Sequence, residues 1–137
     1  GQALVATGSP FDDVRLEGKT YSANQGNNAF IFPGVGVGTV LSGATYITDD
    51  MVWEAAYALA EYTETYYGEE ERLFPELSRL RDASEAVAVS VMRRAFVDGV
   101  ATVDRVEEEN LEKYVKERTW QPDYLPVRLT DEGERKF

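Results

Sequence analysis

The sequence contains no cysteine and no histidine among its 137 residues. Without cysteine the chain can form no disulfide, offer no thiolate nucleophile and bind no zinc through sulfur. Without histidine it can form neither a Ser-His-Asp triad nor an HExxH zinc site. Chemistry performed by this chain alone would therefore use carboxylates, lysine, tyrosine or a bound metal ion.

Positive charge is also scarce, since 14 lysines and arginines face 25 aspartates and glutamates and leave a net charge of −11. Such a field repels nucleic acid and anionic membrane surfaces, so we expect neither as a partner. No apolar run approaches the ~20 residues that a transmembrane helix needs. Hydrophobic residues make up 43% of the chain, which suits one globular domain.

The sequence predicts little sheet. Residues 3–7 (ALVAT) are an apolar run followed by turn residues, which predicts a buried parallel strand. Residues 14–21 alternate around Gly18 and predict a small hairpin. Because two strands of this size form no stable sheet alone, we expect the buried strand to have its neighbours outside this chain. We therefore expect the C-terminal part of a larger α/β domain.

Helical patterns fill the middle of the chain. Thr48 is a good N-cap for a helix that runs to about Thr63. Its expected apolar face consists of Met51, Val52, Ala55, Ala56 and Leu59. A second helical segment is predicted from Pro75, with a capping box opened by Asp82 and a stop at Gly99. Its apolar stripe consists of Ala83, Val87, Ala88, Val91, Met92, Ala95 and Phe96.

The last part of the chain predicts a shorter helix and a tail. The helix is expected from Val106 to about Arg118, opened by Asp104, and its many charges favour a surface position. Two prolines and a charged end predict an extended tail after it. We therefore divide the chain into a domain part, residues 1–121, and a C-terminal tail, residues 122–137.

Three glycines alternate at Gly34, Gly36 and Gly38 in the stretch QGNNAFIFPGVGVG. A dinucleotide-binding fingerprint would need a strand leading into the glycines, another spacing of the third glycine and an acidic residue about 20 positions on. None of these is present. We interpret the glycines as small residues that let another helix approach closely.

A pair of amides, Asn27 and Asn28, lies in the same stretch, before the apolar residues that lead to the glycines. Each amide offers two donors and an acceptor and does not titrate, so the pair could orient a carboxylate or a hydroxyl. Asparagine is also frequent in caps and turns, and from the residues alone this alternative stays open. Two acidic pairs, Asp12–Asp13 and Asp49–Asp50, lack a third ligand at useful spacing and are interpreted as structural.

Several motifs resemble those of malic enzymes, in the same order. They are ATGSPF (residues 6–11), QGNNAFIFPGVGVG (25–38), ITDDM (47–51) and RLFPELSRLRDAS (72–84). The segment KYVKERTW (113–120) resembles the long-chain, eukaryotic-type members in particular. The resemblance extends over the chain to about Tyr124.

The resemblance implies a Rossmann-like dinucleotide-binding domain, of which this chain is the C-terminal portion, mostly helical with one core strand and a small hairpin. It implies oxidation of L-malate with NAD or NADP, decarboxylation to pyruvate and CO2, and a Mg or Mn ion. It assigns substrate binding to Asn27 and Asn28. The family's catalytic residues, metal ligands and dinucleotide glycines match no position here, so we expect this chain alone to be inactive.

The resemblance further implies a homo-oligomer, a dimer or a tetramer, in the cytoplasm or the mitochondrial matrix. Two rivals remain open. One is malolactic enzyme, which converts malate to lactate and resembles this region but prefers alanine at the position of Gly26. The other is a non-catalytic acidic helical module that binds a protein partner, which leaves the order of the motifs unexplained.

Overall fold

The structure, a computed structural model, describes residues 3–70, 72–122 and 124. Among these residues, three long or medium helices and one short helix follow a small β region. The strands are β1 (Ala6–Thr7), β2 (Val14–Leu16), β3 (Lys19–Tyr21) and β4 (Asn24–Gln25). The helices are α1 (Phe32–Ser42), α2 (Asp49–Tyr67), α3 (Leu80–Val97) and α4 (Leu111–Arg118). Short 3₁₀ turns lie at Asn28–Phe30, Gly68–Glu70, Leu77–Arg79 and Glu108–Asn110.

The first strand has a neighbour within the chain, which corrects the expectation of an orphaned strand. Strand β1 pairs in parallel with β4, with Ala6 opposite Asn24 and Thr7 opposite Gln25. The strand is shorter than the predicted residues 3–7, and its apolar beginning is not buried, since Leu4 is 47% exposed. Strand β4 is short and polar, so no hydrophobic pattern in the sequence predicts it.

The predicted hairpin is confirmed. Strands β2 and β3 pair antiparallel, with Val14 opposite Tyr21. Between them Glu17 and Gly18 have φ angles of 51° and 79°. Positive φ at both central residues is what a type I′ turn requires, and this turn matches the twist of the two strands.

Helices α1 and α3 pack backbone to backbone at the glycines. A Cβ added at Gly34 would lie 2.6 Å from the carbonyl oxygen of Ser84, and one at Gly38 would lie 2.6 Å from that of Ala88. A Cβ at Gly36 would meet nothing within 4 Å. The predicted close approach is therefore confirmed for two of the three glycines.

Helix α2 begins as predicted and ends later. The Thr48 hydroxyl accepts a hydrogen bond from the Met51 N–H at 3.0 Å, and the helix continues past Thr63 to Tyr67. Its buried residues are Met51, Ala55, Ala58, Leu59 and Thr63. Val52 and Ala56 were expected on this face but are exposed, because a residue one position further along lies ~100° around the helix, away from α3.

Helix α3 is the centre of the fold and contacts α1, α2 and α4. Its predicted stripe is confirmed, since only Phe96 of the seven residues is not fully buried. The predicted capping box is wrong, because the helix begins at Leu80 after a 3₁₀ turn and Asp82 lies inside its first turn. Gly99 ends the helix as predicted, with a φ of 68°.

Helix α4 begins later than predicted, because Asp104 and Val106 lie in the connection before it. It packs Leu111 and Val115 into a second apolar cluster with Ala88, Val89 and Met92 of α3. The predicted tail, residues 122–137, lies outside the described residues except for positions 122 and 124. In the part that the structure describes, no helix combines the length and apolarity needed to cross a membrane.

Candidate functional site

Two of the sequence motifs, ATGSPF and QGNNAFIFPGVGVG, meet where the strands β1 and β4 end. We call this C-terminal end of the strand pair the carboxyl edge. Because the strands are parallel, the turn after Thr7 and the turn after Gln25 leave the pair at the same carboxyl edge. The Gly26 N–H donates to the Thr7 carbonyl at 2.8 Å, and the Gln25 side-chain amide donates to the Gly8 carbonyl at 3.2 Å. Ligands of open α/β sheets bind outside the carboxyl ends of strands, so this edge is the candidate site.

Asn27 lies at this edge and caps the 3₁₀ turn that leads into α1. Its Oδ1 accepts a hydrogen bond from the Ala29 N–H at 2.9 Å, and its extended backbone is typical of an N-cap. The capping alternative therefore holds for the oxygen of this side chain. Within the described part of the chain the amide nitrogen donates no hydrogen bond, so it is available to a ligand.

Asn28 is exposed, and its side chain makes no hydrogen bond within the described residues. Its backbone is held, because its carbonyl accepts from the Ile31 N–H at 3.1 Å. The two amides can thus offer donors to a carboxylate and an acceptor to a hydroxyl. They cannot act as acid or base, since amides do not titrate, so the chemistry available here is binding and orientation.

A buried asparagine that the sequence analysis missed supports this edge. Asn24 of β4 is 4% exposed, and its Oδ1 accepts hydrogen bonds from the N–H groups of Leu73 at 2.5 Å and Phe74 at 3.3 Å. Its amide nitrogen donates to the Ser22 carbonyl at 3.4 Å. No signal in the sequence marks Asn24, because β4 is too short and polar to be predicted.

The ring of Phe74 covers Gly26. A Cβ at position 26 would lie 3.2 Å from this ring, which also stacks on Phe30 with centroids 6.2 Å apart and planes 20° apart. Phe30, two positions after Asn28, is fully buried. The turn that carries the amides is therefore enclosed by aromatic packing on the side of Phe74.

The acidic pairs form no metal site. Asp49 and Asp50 lie in the first turn of α2, where negative charge suits the helix dipole, and Asp50 pairs with Arg94. Asp12 and Asp13 are exposed in the segment before β2. Among the described residues no three acidic side chains come together as metal ligands would, so the described residues alone do not fit a Mg or Mn ion.

The glycine segment does not fit a dinucleotide either. Gly34 and Gly38 are buried against α3, so their backbone cannot approach a phosphate. The tyrosines near the end of α2 serve packing, as Tyr62 and Tyr66 have ring centroids 4.6 Å apart. Burial, and next the Asp82 carboxylate, raise the pKa of Tyr62.

Comparison with known proteins decides the family. A family model described as "Malic enzyme, NAD binding domain" matches residues 1–96, which include the candidate site and most of α3. The chain belongs to this malic enzyme family. The resemblance of the motifs and the predicted fold class, part of a Rossmann-like NAD-binding domain that is mostly helical, are thereby confirmed.

Curated relatives agree with the family model. The chain is 45% identical over 130 residues to an NAD-dependent malic enzyme of Sodalis glossinidius (strain morsitans), covering 95% of this chain and 23% of that protein. It is 42% identical, with the same coverage, to the NAD-dependent malic enzymes of Aeromonas hydrophila and Escherichia coli (strain K12). The chain thus spans 23% of the length of each of these relatives.

Proposed function

We propose that this chain is part of an enzyme that oxidatively decarboxylates L-malate to pyruvate and CO2, and that Asn27 and Asn28 help to hold the substrate. The observation that carries the proposal is the exposed Asn28 amide, which lies beside Asn27 at the carboxyl edge and has no partner among the described residues. Family membership and the names of the relatives support the reaction.

Neutral amides suit a dicarboxylate that must lose CO2. They fix a carboxylate through donated hydrogen bonds without adding a positive charge that would oppose its departure as CO2. Accurate placement matters, because misplacing a substrate by about 1 Å can cost about 100-fold in rate. The hydrogen bonds within the turn hold both backbones, and the Asn27 side chain is also fixed through its Oδ1.

The cofactor and the metal are proposed for the parent protein and not for these residues. Because the relatives are named NAD-dependent, we propose NAD rather than NADP. We propose that the NAD phosphates and a Mg or Mn ion are held by residues outside this chain. The bacterial relatives favour the cytoplasm over the mitochondrial matrix, and we propose a homo-oligomer as the resemblance implies.

Malolactic enzyme is the close rival for this site. It would bind the same substrate through the same amides and release lactate. Glycine at position 26 favours the malic enzyme, and the Phe74 ring 3.2 Å from an added Cβ gives a physical reason why alanine would disturb this turn. Analysis of the product of the full-length protein, pyruvate or lactate, decides between the two.

The test is an Asn28→Ala variant of the full-length protein, assayed by nicotinamide reduction with L-malate, NAD and Mn²⁺. We expect the KM for malate to rise about tenfold or more while the Tm stays within about 2 °C, because an exposed side chain is removed. The matched control is Ser22→Ala, which lies before β4 and leaves the Ser22 carbonyl in place. An unchanged KM in Asn28→Ala would remove the amide from the substrate site.

A second assay tests whether the chain acts alone. The 137-residue chain should show no malate-dependent reduction of NAD under conditions in which the full-length protein is active. The described residues provide no acid–base pair or metal site at the amide edge, which is the reason for this expectation. Turnover by the chain alone would overturn it.

A further inference from the structure

Asn24 is a buried polar side chain in a place that requires an explanation. It is 4% exposed and lies in β4, although asparagine is disfavoured in strands. A buried amide is tolerated only when its polar atoms are paired. Its hydrogen bonds therefore indicate what the side chain does.

The Asn24 oxygen joins two distant parts of the chain. Oδ1 accepts from two consecutive backbone N–H groups, those of Leu73 and Phe74, which lie 49 and 50 positions further along. Within the described part of the chain neither N–H group has another acceptor. One side-chain atom thus fastens the segment of residues 72–74 to strand β4.

Strand β4 is also fastened through its backbone. The Asn24 N–H donates to the Val5 carbonyl at 3.1 Å, and the Gly26 N–H donates to the Thr7 carbonyl at 2.8 Å. Residues 24–26 are therefore held by backbone hydrogen bonds to β1 and, through the Asn24 side chain, by the segment 72–74. Asn27 follows immediately, so a shift of β4 would be passed to both amides.

The segment 72–74 is itself held in place. The Arg72 guanidinium lies 5.3 Å from the centre of the Tyr67 ring at the end of α2, and its Nη1 is 3.4 Å from Oε1 of Glu76. The Phe74 ring stacks on Phe30 and covers Gly26. These contacts make the segment a fixed support for β4.

We propose that Asn24 is a positioning residue that sets the placement of the Asn27 and Asn28 amides for the substrate. This inference rests on the proposed function, in which those amides bind malate. Asn24 acts through its acceptor oxygen, and no contact with substrate is required of it. Weakening the support displaces the amides by a fraction of an ångström, which lowers substrate affinity before it affects the fold.

The test compares two substitutions in the full-length protein. Asn24→Ala removes the acceptor and should raise the KM for malate about tenfold with kcat within about threefold. Asn24→Asp keeps an oxygen acceptor for both N–H groups, but its second oxygen replaces the amide donor beside the Ser22 carbonyl, 3.4 Å away. We expect the KM of Asn24→Asp to lie closer to the wild-type value than the KM of Asn24→Ala.

A destabilised control separates positioning from general loss of stability. Leu111→Ala removes a side chain that is 2% exposed in the cluster between α3 and α4, which does not include the amide turn. It should lower the Tm at least as much as Asn24→Ala and leave the KM unchanged. If both variants raise the KM equally, Asn24 has only a structural role and the inference is wrong.

Two further outcomes distinguish a failure of the inference from a failure of the proposed function. If Asn28→Ala raises the KM and a folded Asn24→Ala does not, the inference fails while the proposed function stands. If Asn28→Ala leaves the KM unchanged, the amide role on which the inference rests fails, and the inference with it, whereas the measured turnover of malate leaves the proposed reaction in place. Should Asn24→Ala not fold, Asn24→Ser, whose shorter side chain withdraws the acceptor from the Leu73 and Phe74 N–H groups, must raise the KM for the inference to survive.

Discussion

The hydroxyl of Thr48 donates a hydrogen bond of 2.6 Å to Oδ2 of Asp98, 50 residues further along the chain. The same oxygen accepts from the Met51 N–H and caps α2. The other oxygen of Asp98 accepts from Nε of Arg94 at 2.7 Å, and Arg94 also pairs with Asp50. These contacts fasten the beginning of α2 to the end of α3.

Replacing Thr48 should therefore loosen two helices at once. Thr48→Val keeps the shape of the side chain but removes both hydrogen bonds, and we expect a loss of about 1–2 kcal/mol in the free energy of unfolding of the 137-residue chain. Thr48→Ser keeps the hydroxyl and should lose less than about 0.5 kcal/mol. Urea denaturation of the three proteins measures both values. Equal stability of the two variants would contradict the capping role.

Replacing a glycine of α1 by alanine should change the stability in opposite directions at two positions. Gly38→Ala would place a Cβ 2.6 Å from the Ala88 carbonyl oxygen and 2.8 Å from Cβ of Val91. Because both are held in α3, we expect a loss of about 1–3 kcal/mol. Gly36→Ala meets nothing within 4 Å and should gain up to about 1 kcal/mol from helix propensity. Thermal unfolding of the two variants of the chain compares them directly.

The contact between Gly26 and Phe74 predicts a change in function. A Cβ at Gly26 forces the ring to move by a few tenths of an ångström, and its stacking on Phe30 limits where it can go. In the full-length protein we expect Gly26→Ala to raise the KM for malate by about three- to tenfold. Gly36→Ala in α1, whose Cβ would meet nothing within 4 Å, should leave the KM unchanged. A normal KM in Gly26→Ala would show that the turn accommodates the methyl group.

The ion pair of Glu108 with Arg93 predicts a small dependence of stability on pH. The hydrogen bond from Arg93 lowers the pKa of Glu108 below its ordinary value of 4.5. The pair therefore contributes fully above about pH 4.5, and its contribution is lost as pH falls through the lowered pKa of the folded state. Because both side chains are largely exposed, the contribution is below about 1 kcal/mol.

The measurement is the Tm of the chain and of Glu108→Gln between pH 3 and pH 7. The wild-type Tm should exceed that of the variant above pH 4.5, and the two should converge at the acidic end. Glu109→Gln removes a neighbouring carboxylate from the same 3₁₀ turn and serves as the control. A constant difference over the whole range would mean that the pair makes no titratable contribution.

The helical part of the fold was predictable because its signals are local. The Thr48 cap, the buried stripe of α3 and the stop at Gly99 all follow from neighbouring residues. Boundaries were predicted less well where 3₁₀ turns precede α3 and α4, since such turns share the early residues with the helix pattern. The outer side of α2 was misjudged because Val52 and Ala56 are apolar and yet exposed.

The pairing at the candidate site was not predictable in the same way. Strand β4 has two residues, and its partner β1 lies 18 positions earlier, so no short-range pattern specifies the pair. The support from Leu73 and Phe74 depends on contacts across about 50 positions. The amides themselves were found from the sequence, through the motif that contains them. The sequence predicts the site, and only the fold shows which contacts hold the predicted residues.

Because the amide pair is neutral, its binding of a ligand should not depend on pH. The two side chains keep the same charge at every physiological pH, and the chain carries no histidine or cysteine that would ionise near neutrality. This part of the site would therefore bind its ligand with the same affinity across the physiological pH range, and any response of the protein to protons would arise in its other residues.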